Sequence, residues 1–326
     1  MTRVHYTEIT CKSAINRMRG MPFFWSLNPY RGCVHSCRYC YARVTHTFFG
    51  LDTGVDFETQ LFIKMNIATV LRTELCRPSW RGDSVAIGTA TDPYQPAEGR
   101  YRLTRQCLEV FAETSNVANV TTKGTLIVRD IDVLQELATN ASCSINISLI
   151  TLEPSIWQAL EPGTPPPMQR LRALERLSAA GISCGIALAP VLPRLTDTRS
   201  NLEAVVRAAV DHGAAWIWSG TLHLEPAVRD WLLAALHQHF PAVTPAYVRV
   251  YGAPGHEGGA RYTPQRYTEA LDHRIAEIKQ RYGLLECPKN PPRLGQYTDA
   301  SAALASTQPP LQQVELPLPR SALAPR

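Results

Sequence analysis

The sequence predicts an α/β chain, a partial (β/α)6 barrel of the TIM type followed by a small C-terminal extension. Two observations carry that expectation. Short apolar or β-branched runs of strand length, bounded by turn residues, recur at 24–30, 84–89, 117–122, 144–150, 182–189 and 214–219. Between them lie stretches with the apolar period of a helix. Strand and helix in alternation imply a parallel sheet, and six such units form a partial barrel whose chemistry sits at the C-terminal strand ends.

Residues 1–20 are polar and irregular and read as an N-terminal arm, ahead of a barrel over 21–240. The first strand, 24–30, runs straight into a cysteine-rich loop. A helix beginning at Asn66 or Lys64 carries Ala68, Val70, Leu71 and Leu75. Thr104 caps a second with Leu108 and Phe111, and Asp130 a third with Leu134 and Leu137. Met168, Leu171, Leu174 and Leu177 form the stripe of a fourth, closed by Gly181. A fifth runs from Arg199 to His212 and stops at Gly213. Residues 224–290 add a helix, a strand near 246–251, a glycine-rich stretch over 252–259 and a helix over 263–281, with 241–290 as the extension that closes the barrel. Past Cys287 the chain turns to Pro, Ser, Ala and Gln without periodicity, the composition of a disordered tail over 291–326.

With 326 residues, 45% of them apolar, the chain has ample material for a core. No apolar run reaches the roughly 18 residues that span a bilayer, and the first residues lack the apolar core of a signal peptide. The expected location is the cytoplasm, with no membrane partner. Nine cysteines in such a chain fit a reducing compartment. The net charge of +5 permits an anionic partner such as nucleic acid without demanding one.

Cys33, Cys37 and Cys40 form a C-x3-C-x2-C triplet in one short loop. Three thiols so close cannot be a disulfide framework, because one is always left over. A zinc site would want a fourth ligand from a second knuckle, and no later C-x2-C or H-x3-H follows. A cubane iron–sulfur cluster fits better. Three thiolates from one loop leave one iron without a protein ligand and open to a substrate or cofactor. Buried cysteines clustered by accident are the plainer reading, but chance gives this pair of spacings with a probability of about 0.007 in a chain with nine cysteines.

The triplet, with Tyr39 just before its last cysteine, resembles that of the radical S-adenosylmethionine (radical SAM) superfamily. Asn28-Pro-Tyr-Arg-Gly-Cys33, Cys40-Tyr41-Ala42 and Thr91-Asp92-Pro93-Tyr94-Gln95-Pro96-Ala97-Glu98 are similar to the branch related to spore photoproduct lyase. The likeness runs from about residue 20 to 285. It implies a radical SAM partial barrel in which Cys33, Cys37 and Cys40 hold a 4Fe–4S cluster. Thr91 and Asp92 then grip the amino group of S-adenosylmethionine, and Lys123 pairs with its carboxylate. Ser148 supplies a hydroxyl, Arg170 lies near the ribose and carboxylate, and Ala189 lies against adenine. Alternation supports part of this independently, because Ser144, Asn146 and Ser148 share one strand face, and a polar inner face suggests a ligand cavity.

The implied reaction is reductive cleavage to a 5'-deoxyadenosyl radical that abstracts a hydrogen atom, with an external electron donor of the flavodoxin or ferredoxin type; the substrate is left unknown, with nucleic acid, DNA or RNA, ahead of peptide or metabolite. One departure bears on the substrate. In the lyase a cysteine after the second strand returns a hydrogen atom to the product radical, whereas residues 77–106 here contain none. Tyr39 and Tyr41 are candidates for a tyrosyl relay and Tyr94 for the donor. Cys184 is turned outward if Ala189 faces inward. A repair lyase with a non-cysteine donor is therefore the alternative enzyme, and a cluster- or zinc-carrying nucleic-acid-binding protein the non-enzymatic one.

Overall fold

Side chains alternate across a strand, so each barrel strand has two faces with separate duties. The structure, a computed structural model, describes residues 3–19, 21, 23–256 and 258–284. Its strands are β1 (His5–Ile9), β2 (Ile15–Arg17), β3 (Trp25–Leu27), β4 (Tyr30–Arg31), β5 (Gln60–Lys64), β6 (Val85–Ile87), β7 (Ala118–Thr122), β8 (Cys143–Ser148), β9 (Cys184–Val191) and β10 (Ile217–Thr221). The main sheet has the order β10-β9-β8-β7-β6-β3-β2. Its strands from β3 to β10 are parallel, and β2 adds an antiparallel edge. These six parallel strands fall on the six runs read from the sequence.

Leu27, Val85, Ile87, Val120, Ile145, Ile147, Ile186 and Ile217 point outward into the main hydrophobic core. Helices cover them there, and each Leu or Ile so buried contributes about 2 kcal/mol. The covering layer includes α2 (Ile67–Leu75), α4 (Leu103–Glu113), α5 (Ile131–Asn140), α7 (Pro167–Ala179) and α8 (Arg199–Asp211). A C-terminal helix, Gln265–Arg281, completes it by packing against α8 and β10. The opposite face carries Ser26, Asn119, Ser144, Asn146, Ser148 and Ala187. Cys184 points outward as expected, its thiol 3.7 Å from the Leu174 carbonyl.

Several expectations need correction. Residues 5–9 and 15–17 are strands rather than an irregular arm, because β1 pairs in parallel with β5 and β2 with β3. The sequence reading missed β5, which joins β1 and β4 in a separate three-stranded sheet. The segment near 246–251 is a helix, Thr244–Tyr251, with Pro245 in its first turn, and it buries Tyr247 and Tyr251 four residues apart. The expected caps also differ. Asn66 hydrogen-bonds the Cys11 backbone, Asp130 faces Arg105 and Arg129, and Glu98 supplies the cap of α4 by accepting from the Thr104 and Arg105 amides at 2.9 and 3.2 Å. Met168 is largely exposed and lies outside the stripe of α7. The expectations for Cys287 and 291–326 fall outside the described residues.

Lys64 connects this scaffold to the cysteine loop. Its Nζ is buried and donates to the Asn28 carbonyl at 2.8 Å. Asn28 in turn donates to Thr89 Oγ1 and accepts from the Ala90 amide, so it holds the ends of β3 and β6 together. Burial, and secondarily Arg31, push the Lys64 ammonium down from 10.5 to about 8. Between these values the unfolded chain binds the extra proton, so this group's contribution to stability rises with pH. The unfolding free energy of the protein minus that of Lys64→Met should therefore increase between pH 8 and 10.5. The full change is about 3 kcal/mol, measurable by denaturant titration at several pH values.

Candidate active site

The cysteine loop leaves β4 through Gly32, whose φ of +78° suits glycine, and turns again at Ser36 with φ of +56°. An added Cβ at Gly32 would also lie 3.0 Å from the Gln60 and Phe57 carbonyl oxygens, so the loop is pressed against the small sheet. Two tight turns, Ser36 N–H to Cys33 C=O and Cys40 N–H to Cys37 C=O, fold the loop between successive cysteines. None is in a disulfide, and Cys33 and Cys37 are buried. Burial pushes the Cys37 thiol up to about 12 against the pull of Lys123, and it raises Cys33 further. Metal binding at these thiols would therefore release protons. Among the described residues no three His, Cys, Asp or Glu side chains are placed close enough together to hold a single metal ion. Three thiols from one loop are the donor set that three irons of a cubane would take.

The loop after β6 grips the cysteine loop from below. Thr91 Oγ1 and Gln95 Nε2 both donate to the Gly32 carbonyl, at 2.7 and 3.0 Å, and Gln95 Oε1 accepts from the Val34 amide. Asp92 accepts from Thr122 Oγ1 at 2.6 Å, the Lys123 amide at 2.7 Å and the Tyr94 amide at 2.9 Å, and it lies 3.2 Å from His35 Nδ1. Burial alone would raise its carboxyl, but the His35 pairing and these hydrogen bonds hold it well below the usual range. Thr91 and Asp92 thus spend their polar atoms on the protein itself. Their contribution here is to hold the cysteine loop.

Beside Cys37 lies a buried charge cluster centred on Glu161. Its carboxylate accepts from the Tyr39 hydroxyl, pairs with Arg170 at 2.6 Å and lies 3.8 Å from Lys123 Nζ. Burial raises the Glu161 carboxyl, but the two cations and Tyr39 prevail and lower it. Arg170 also donates to the Pro165 and Ser148 carbonyls and to Thr164. Gly163 is pinned against the cysteine loop, its N–H donating to His35 C=O, and an added Cβ would lie 2.1 Å from the Val34 oxygen.

The structure therefore gathers Cys37, Tyr39, Lys123, Arg170 and the Ser148 strand end into one place. Among the described residues the Ser148 hydroxyl has no hydrogen-bond partner. Ala189 lies across on β9 beside Gly220. Tyr41 stands apart at the rim, its hydroxyl on the Thr89 carbonyl and its ring stacked on His223, which stacks in turn on Tyr262. Tyr94 needs correction as a hydrogen-atom donor. It is 2% exposed in the outer core, on the other side of the sheet from the polar face, with Asp130 and Glu98 as its charged neighbours. Glu161, Gln95, His35 and Gly163 were not singled out individually, although Glu161-Pro-Gly-Thr164 and Thr91–Glu98 contain three of them.

A parallel half-barrel with three unpaired thiols at its mouth and cations beside them defines a class of metal-dependent barrel enzymes. The sequence pattern of the Radical SAM superfamily matches residues 27–205, and the chain belongs to that superfamily and is a radical SAM enzyme. An uncharacterized protein of Mycobacterium tuberculosis strain H37Rv is 38% identical over 284 residues, covering 86% of this chain and 82% of that one. An uncharacterized protein of Methanocaldococcus jannaschii is 23% identical over 196 residues, covering 60% and 71%. Among solved structures, a spore photoproduct lyase variant with bound AdoMet and dinucleoside spore photoproduct has the same fold, with a TM-score of 0.62 at 13% identity over 85% of this chain and 79% of that one.

Glu161→Ala would leave Arg170 and Lys123 buried without their counter-charge. It should destabilise the protein by about 3 kcal/mol or more in a denaturant titration. Gly163→Ala should instead act on the loop, with iron content after anaerobic reconstitution falling below half that of the parent at nearly unchanged helical circular dichroism.

Proposed function

We propose that the protein binds a 4Fe–4S cluster through Cys33, Cys37 and Cys40 and cleaves S-adenosylmethionine reductively, with a nucleic acid as substrate. When bound, the cluster supplies the electron that yields a 5'-deoxyadenosyl radical for hydrogen-atom abstraction. The observation that carries this reading is the barrel mouth, where a three-thiol loop clamped by Thr91 and Gln95 stands beside Lys123 and Arg170.

The chain's own residues then divide the work. Lys123, loosely paired with Glu161, is the cation that turns to the cofactor carboxylate. Ser148 offers its hydroxyl from the adjacent strand end. Arg170 acts through Glu161 and the Ser148 carbonyl, fixing the wall against which the cofactor lies. Ala189 is small enough for adenine to approach. The fold encloses this region and excludes water from it. Electrons come from a flavodoxin- or ferredoxin-type partner, and the enzyme works in the cytoplasm. Among the described residues no helix is long and apolar enough to cross a membrane.

A repair lyase with another hydrogen donor is the second reading, favoured by the fold shared with spore photoproduct lyase. Against it stand the absence of a thiol from 77–106 and the burial of Tyr94 in the outer core. Tyr39 and Tyr41 remain for a relay, the first engaged by Glu161 and the second by the Thr89 carbonyl.

Two outcomes test these statements. Cys33→Ala, Cys37→Ala and Cys40→Ala should each lose the charge-transfer absorbance after anaerobic reconstitution, while the other six cysteines are dispensable. A full cluster in Cys37→Ala would sink the assignment. Incubated anaerobically with S-adenosylmethionine, dithionite and dinucleotide spore photoproduct, the parent should release abundant 5'-deoxyadenosine and restore little thymine. Efficient thymine recovery would move the second reading to first place and point to Tyr39 and Tyr41.

A further inference from the structure

Strand register sets the inner face in rows. Thr121, Asn146 and Gly185 stand side by side in one row, and Ser148, Ala187 and Trp218 in the row above. Trp216 lies directly over Gly185, where an added Cβ would meet its Nε1 at 2.6 Å. The absence of a side chain at 185 lets this indole reach across the strand to Asn146.

Asn146 Oδ1 accepts two hydrogen bonds, from Trp216 Nε1 at 2.9 Å and from Trp218 Nε1 at 3.2 Å. An indole N–H can only donate, so the two together fix which end of the amide is oxygen. The Nδ2 group must then face away from both. No described residue accepts from it, and the 1% of Asn146 that remains exposed leaves this donor open to a ligand. Asn119, one row below on β7, shows the contrast. Its oxygen accepts from Ser144 and its nitrogen donates to Ser84, so both ends are satisfied.

Resting on the radical SAM reading above, we propose that Asn146 is a recognition residue of the substrate pocket. Its Nδ2 donates to a carbonyl on a flat, uncharged ring that lies against Trp218. A donor with no protein acceptor gains a partner when a ligand carbonyl meets it. Trp218 is only partly buried, and two small neighbours, Ala187 in the same row and Gly220, leave room beside its ring. The charge in the upper row, Lys123, is directed to Glu161, so the pocket favours a neutral group. A lactam ring supplies acceptor and flat face together, either as a free nucleoside or as a base within a strand.

The test uses the reconstituted protein with S-adenosylmethionine and measures binding of uridine and of a short oligouridylate by equilibrium dialysis. Saturable binding of at least one probe is expected, about tenfold weaker in Asn146→Asp, which keeps an acceptor for both indoles and replaces the donor with a second, charged oxygen. Uridine binding alone identifies a free-nucleoside site, and oligouridylate alone a strand site. Trp216→Phe, which keeps the donor but frees the amide to rotate, should weaken binding severalfold. No saturable binding of either probe, or unchanged binding in both variants, overturns the proposal. Cluster absorbance and S-adenosylmethionine binding, recorded on the same samples, report separately on the radical SAM reading.

Discussion

The geometry of the barrel mouth depends on one carbonyl. Gly32 C=O receives both Thr91 and Gln95, and this anchors the first turn of the cysteine loop to the loop after β6. Asp92, between these two in sequence, ties the same loop to the end of β7 and to His35. A single stretch of five residues therefore sets where the thiols stand relative to Lys123 on the neighbouring strand. Asn28 and Lys64 brace it from the other side, at the end of β3. Because each partner is buried, releasing one of them leaves a polar group without water, and the arrangement holds as a unit.

Charge gives that unit a polarity. Around Glu161 two cations, Lys123 and Arg170, face one carboxylate, and the Tyr39 hydroxyl fills the remaining acceptor site. The local balance is positive beside Cys37, which opposes the burial that keeps this group a thiol and suits an anionic ligand. Arg170 is held by four oxygen partners, whereas Lys123 Nζ has only a 3.8 Å ion pair with Glu161 and a place 5.8 Å from the centre of the Tyr39 ring. The first cation shapes the wall and the second is the freer to meet a ligand.

Most of the sheet was legible because its strands are local runs of Val, Ile and Leu bounded by turns, and the triplet was legible because its meaning lies in spacing alone. The small sheet was not, since β5 finds its partners about 30 and 55 residues away and its register is a tertiary property. Residues 246–251 misled by alternation, Ala-Tyr-Val-Arg-Val-Tyr, although Pro245 and the Tyr247–Tyr251 spacing were the better signal. Tyr94 misled for another reason. Its neighbours in sequence face the cysteine loop, but the direction of a loop side chain is set by packing. Glu161 stands before a proline and a glycine with no spacing signal of its own, and only the fold brings Arg170, Lys123 and Tyr39 around it.

The division of labour between the two faces of the barrel strands has a consequence for how such a chain can change over time. Cohesion resides in the outward Val, Ile and Leu side chains, which mesh with the helices and tolerate little alteration. The inward Ser, Thr, Asn and Ala positions contribute little to that cohesion. Descendants of this sequence can therefore exchange residues at 121, 144 or 187 and meet new molecules while inheriting the same scaffold and the same cysteine loop. Diversification is channelled inward, one row at a time.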